Sequence, residues 1–203
     1  MVILPQVDAP KEVSVRFSGF APVPRLAYGF SALARRPAHE PSLEVDCATF
    51  PKGTDEVLAL GGGVHFVNKK AKLQVVLDTK KKVNVAAFTY DDFPALVENL
   101  LYCLQRLDKG GRLFFRIEDT VTDPSVKVLA LVTLGFEEVS VQDRVVVCTG
   151  YTRGRSLLSG IGTLHDQAGK RGDSKVSAVC LRWDLGAEFV KALRTLNSRP
   201  SGS

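Results

Sequence analysis

From Val83 to Thr149, short apolar runs alternate with amphipathic stretches of helix length, and most changes of period fall on a glycine, a proline or an acid. VNVAAF (83–88) is a continuous apolar run of strand length, the pattern of a strand buried on both faces. After it, Asp91 or Asp92 is placed to cap the free amides of a helix and Pro94 suits the first turn. Phe93, Leu96, Val97, Leu100, Leu101, Leu104 and Leu107 then recur at the i, i+3, i+4, i+7 spacing of one helical face. Gly110-Gly111 is expected to end this helix, because glycine takes a left-handed conformation at little cost, and LFFRI (113–117) to resume as strand. A second helix is expected with Asp123 as cap, Pro124 in its first turn, a body from Val126 to Leu134 and Gly135 as its stop. FEEVSV (136–141) and RVVVCT (144–149) then flank Gln142-Asp143, the spacing of an antiparallel hairpin. Strand, helix, strand, helix, hairpin is the order of an α/β layered fold, with crossover helices on a largely parallel sheet.

Upstream, EVLAL (56–60) runs into Gly61-Gly62-Gly63, LQVVLD (73–78) ends in an acid, and TKKK (79–82) has the composition of a solvated turn. No stretch long enough for an amphipathic helix separates Gly63 from Leu73, and no crossover separates Asp78 from Val83. Parallel neighbours need a dozen or more residues to connect, so the strands before Val83 are expected to pair antiparallel. The chain divides into an irregular lead-in (1–53), an α/β core (54–151), a flexible basic linker (152–175) and a C-terminal strand, helix and tail (176–203). The lead-in carries Pro22, Pro24, Pro37, Pro41, Pro51 and a β-like run at Val13–Phe17. In the last zone, pattern returns at Val176–Trp183 and as a helix over Ala187–Asn197.

With 203 residues, 45% of them hydrophobic, the chain has enough apolar side chain for one sizeable core. A net charge of +5 suits an acidic partner, whether protein or nucleic acid, without selecting between them. Cys47, Cys103, Cys148 and Cys180 lie far apart without CxxC pairing, and His39, His65 and His165 are equally isolated, so no metal site is expected. The apolar start is broken by Pro5, Asp8 and Pro10, which removes the run a signal peptide needs, and no stretch reaches the ~18 apolar residues of a membrane span. The expectation is a cytoplasmic protein without a membrane partner.

Several conspicuous residues have ordinary roles open to them. Asp91-Asp92 suits helix capping better than paired-carboxylate chemistry. Cys103 and Cys148 fall in core positions, and Arg171-Gly172-Asp173 stands alone with nothing else adhesive near it. Trp183 is the candidate anchor for a protein partner, and Arg153 and Arg155 of the basic linker are further candidate partner-binding residues.

The order derived above, with Leu107-Asp108-Lys109-Gly110-Gly111-Arg112-Leu113-Phe114-Phe115 and Leu134-Gly135-Phe136-Glu137-Glu138-Val139, resembles the C-terminal half of class I S-adenosylmethionine-dependent methyltransferases. The likeness runs from Val83 to Thr149 and implies a degenerate methyltransferase-like, Rossmann-like sheet. In that family a glycine turn after the first strand approaches the cofactor, and an acid after the second bonds its ribose. Carried onto this chain, those positions are Gly61, Gly63 and Asp78, with Ala59 where the family has an acid.

A closer resemblance, over Leu104 to Val139, is to the cofactor-less N-terminal domain of the anamorsin family of cytosolic iron-sulfur assembly factors. It rests on the glycine pair, Glu118, Thr120-Val121, Ser125-Val126-Lys127 and Ala130–Gly135. It implies a docking module or scaffold with no catalytic residues and no cofactor of its own. The family's cysteine clusters have no counterpart here, so no iron-sulfur chemistry is carried onto any residue. Asp92-Phe93 and Leu134–Glu137 also resemble ornithine decarboxylase antizyme, a non-catalytic binder of a metabolic enzyme. The leading expectation is thus a protein-interaction module; the alternatives are an active methyltransferase using S-adenosylmethionine through Gly61, Gly63 and Asp78, and an antizyme-like binder.

Overall fold

The computed structural model of the chain describes residues 1–10, 42–117, 120, 123–169 and 185–198. In chain order the elements are β1 (Val2–Leu4), β2 (Leu43–Asp46), a 3-10 turn (Cys47–Thr49), β3 (Glu56–Leu60), β4 (Val64–Val67), β5 (Gln74–Val76), β6 (Val83–Phe88) and α1 (Phe93–Arg106). There follow β7 (Leu107–Arg116), α2 (Asp123–Thr133), β8 (Phe136–Gln142), β9 (Val145–Tyr151), α3 (Arg155–Gly169) and α4 (Ala187–Ser198). Seven strands form one sheet in the order β1-β8-β9-β7-β6-β3-β5, and β2 pairs with β4 in a second, two-stranded sheet. The α/β class read from the sequence is thus the observed one.

The central strands are apolar on both sides because both faces of the sheet are covered. Leu58, Ala86, Phe88, Leu113 and Phe115 join the helices in one core, where Phe88 and Phe115 stack at 5.1 Å between ring centroids. Their neighbours Val57, Val85, Ala87 and Phe114 point the other way, into a smaller core closed by Leu43, Val45 and Phe50 from the β2 region. Helix α1 begins as expected: Asp92 Oδ1 accepts the Ala95 amide at 2.9 Å, and Leu96, Val97, Leu100, Cys103 and Leu104 are its buried stripe. Helix α2 is enclosed along its apolar body, with Val126 and every residue from Val128 to Val132 at zero exposure, as a segment apolar on every side requires.

Five expectations are corrected. The strands before Val83 pair parallel: β3 pairs with β5 and with β6 in parallel register. The connection from β3 to β5, residues 61–73, crosses the opposite face of the sheet as β4, so an extended segment does what a helix does elsewhere. The return through residues 77–82 is short because β5 has only three residues and ends level with Leu58.

The glycine pair does not stop α1. The helix ends at Arg106 and Leu107 already pairs with Val83, while Arg112 pairs near Val85, so residues 108–111 bulge out within β7. Leu107, fully buried, is drawn from the helical stripe into the sheet, and Gly110 takes its left-handed φ of +79° in the bulge.

The hairpin turn is Asp143-Arg144, both at positive φ, one residue later than expected; this is the twist-matched two-residue connection. The lead-in is not wholly irregular, since it supplies β1 and β2. Most of the expected linker is helix α3, whose Leu157, Ile161 and Leu164 are buried. Gly160 lets it approach α2, since a Cβ there would stand 2.8 Å from Leu131 Cδ2. The runs at Val13–Phe17 and Val176–Trp183 lie outside the described residues.

Candidate functional site

The parallel strands are added outward from β3 to β5, after which the chain returns to β6 on the other side of β3. In open α/β sheets, ligands occupy the crevice outside the carboxyl ends of the strands at such a reversal. Here that point lies between Leu60-Gly61 and Phe88-Thr89. The Thr89 amide donates to Leu60 O at 3.0 Å, and Thr89 O in turn accepts the Asn99 side-chain amide of α1 at 3.0 Å. Gly61 is left-handed at φ +82°, and a Cβ on it would collide with Thr89 Oγ1 and stand 2.9 Å from Thr89 O. The close backbone approach that requires glycine at 61 is therefore to Thr89. Gly62 faces open space, and Gly63 O accepts the Leu43 amide at 2.8 Å where β2 begins beside β4.

Asp78 lies against α1 one turn beyond Asn99. The Tyr102 hydroxyl donates to its Oδ1, and this bond to a carboxylate holds the Tyr102 phenol above its ordinary range, with burial adding to the effect. The residues after Asp78 are strapped to the same half of α1: Arg106 Nε donates to Thr79 O at 2.7 Å and Lys82 Nζ to Gln105 O at 2.5 Å. The two glycines and the acid named from the sequence thus meet different partners, Thr89 and Leu43 on one side and Tyr102 on the other.

Of the candidate partner-binding residues, Arg153 is already engaged, its guanidinium 2.9 Å from Asp108 Oδ1, with both side chains about half exposed. An exposed pair of this kind contributes about 0–1 kcal/mol. Arg155 opens α3 and is exposed, and Trp183 lies outside the described residues. Burial pushes the Cys103 and Cys148 thiols far above their ordinary range and away from reactivity, and raises that of Cys47 as well, against the pull of Lys69 and Lys70. No group of three potential metal ligands occurs among the described residues, and no described helix is long and apolar enough to cross a membrane.

Sequence reasoning missed a convergence at the other end of the sheet. The Gln74 amide donates to Asp55 O at 2.8 Å, which sets the turn before β5 beside the start of β3. That turn carries Lys69, Lys70 and Lys72. The turn after β5 carries Lys80, Lys81 and Lys82 and leads to Val83, opposite Leu107. All six are exposed. The acids among them are Asp55, Glu56 and Asp78, the last bonded by Tyr102. Residues up to thirteen positions apart become neighbours only because β5 runs parallel to β3; locally the sequence shows just two separate lysine runs, Lys69-Lys70-Ala71-Lys72 and Lys80-Lys81-Lys82. No protein-family model matches this chain, and no curated protein matches it.

Proposed function

We propose that the chain is a non-catalytic, methyltransferase-like protein-interaction module, and through its resemblance to the anamorsin family we infer a role as a scaffold in cytosolic iron-sulfur assembly. The observation that carries the reading is the Gly61 turn. In a cofactor-binding sheet such a turn opens the backbone to a phosphate or carboxylate and starts a helix whose amides face the ligand. Here it closes on Thr89 and continues as β4. Asp78, the acid that would hold a ribose, is spent on Tyr102. The parallel order β5-β3-β6-β7, with its reversal at β3, and the final antiparallel hairpin agree with a methyltransferase-like ancestry of the sheet, while fold alone carries no activity.

The test is calorimetric titration of the protein with S-adenosylmethionine and S-adenosylhomocysteine, with Asp78→Ala as control. No heat at millimolar ligand is the expected result. Micromolar binding that Asp78→Ala abolishes would make the chain a methyltransferase and overturn the proposal.

A further inference from the structure

We propose that the edge of β5, unpaired on its outer side among the described residues, is a docking site for an extended acidic segment of a partner protein, which adds to the sheet as a further strand. The inference rests on the interaction-module reading and names the surface and the chemistry of what it takes. Three features coincide at this edge. First, β5 ends the seven-stranded order, with β3 as its neighbour among the described residues. Because the Gln74 amide points to Asp55 of the β3 side, the alternation of backbone direction turns the Val75 amide and carbonyl outward. Second, the large apolar residues exposed here are Val75, at 40%, and Leu77, at 72%. Third, Lys69, Lys70 and Lys72 in the turn before the strand and Lys80 and Lys81 in the return after it gather at the end of the sheet where β5 begins, since Gln74 is held beside Asp55 and Val83 lies opposite Leu107.

A row of lysines beside an edge strand repels another copy of the same edge and so guards against self-pairing. The same charges attract a strand bearing acids, so the edge selects its occupant by sign. Main-chain bonds supply affinity in strand addition and side-chain contacts supply specificity. A single- or double-stranded nucleic acid would use the lysines but neither the outward Val75 amide nor Leu77, and no exposed aromatic for base stacking stands among these residues. Those two features favour a peptide.

The test uses the full chain and a fluorescein-labelled, end-capped heptapeptide of alternating glutamate and valine, read by anisotropy. A polyglutamate heptamer, a twelve-nucleotide poly(U) RNA and vesicles containing phosphatidylserine are run beside it. The expected result is saturable binding of the Glu/Val peptide that weakens with salt, falls at least tenfold in Lys80→Glu/Lys81→Glu, and falls about tenfold in Val75→Pro, the equivalent of one lost hydrogen bond. Val75→Pro removes an outward amide and spares the ladder to β3, because an edge-strand position whose N–H faces outward tolerates proline. Leu77→Asp is the companion variant, since its exposed side chain carries no part of the core, and it is expected to weaken the peptide as well. The proposal is overturned if the peptide does not bind, if polyglutamate binds as well and Val75→Pro and Leu77→Asp leave the peptide unchanged, or if RNA or vesicles bind more tightly than the peptide. Cofactor titration is independent of these readouts. Binding of S-adenosylmethionine would sink the non-catalytic reading, and silence of the peptide would sink only the edge.

Discussion

At the scale of single residues, Gly61 shows how one position can carry a fold requirement that looks like chemistry. Its left-handed φ excludes side chains at a cost of about 1–2 kcal/mol, and the collision of a Cβ with Thr89 adds an overpacking term of about 1–3 kcal/mol. Gly61→Ala is therefore expected to lower unfolding free energy by about 2–5 kcal/mol in urea denaturation. Adding Thr89→Ala should return roughly 1 kcal/mol, because the side-chain clash goes while the clash with Thr89 O and the strained φ stay. Equal loss in the single and double variants would mean that Thr89 does not press on the turn. Gly135 shows the same logic across elements: a Cβ there would collide with Leu157 Cδ2, so glycine at 135 is set by the approach of α3, not by a left-handed helix stop.

At the scale of elements, the instructive case is α3. Its sequence, RSLLSGIGTLHDQAG, carries Gly160 and Gly162, which lower intrinsic helix stability by up to ~1 kcal/mol each and gave the segment the look of a linker. Tertiary packing outweighs that cost. Leu157, Ile161 and Leu164 are buried against the helical layer, and Gly160 is what permits contact with Leu131. Leu157→Ala is expected to cost about 2–5 kcal/mol, measured as a shift of the denaturation midpoint. A change under ~0.5 kcal/mol would mean that α3 is not part of the cooperative core. The i, i+4, i+7 spacing of those three residues was present in the sequence, and attention to it over the glycines would have found the helix.

At the scale of the whole molecule, protection should be graded across the sheet. Strands β6 and β7 are hydrogen-bonded on both sides and buried on both faces, whereas β5 is a three-residue edge with an exposed pattern. Native-state hydrogen exchange is expected to be slowest in β6, β7 and β9, approaching the global unfolding free energy, and orders of magnitude faster in β5. Uniform protection through β5 would contradict a free edge there. The two cores make the same division: the helical face joins strands from β3 to β9, while the opposite face relies on β2, β4 and Phe50 to cover Val57, Val85 and Phe114. Charge follows topology as well, since the lysine turns on either side of β5 meet at one end of the sheet.

The sequence by itself determined the α/β class, the strands at 56–60 and 83–88, the start and apolar stripe of α1, and the presence of the hairpin. These depend on local periodicity and on capping, which act within a few residues. What only the tertiary structure decided was where the strands before Val83 go, what the glycines are for, and which charges share a surface. A missing helix between β3 and β5 argued for antiparallel pairing, yet β4 supplies the crossover by packing on the other face. That choice places Gly61 against Thr89, Asp78 against Tyr102, and the lysines of residues 69–72 and 80–82 beside one exposed edge, because contacts between distant residues are set by the path of the chain and leave no local period to read.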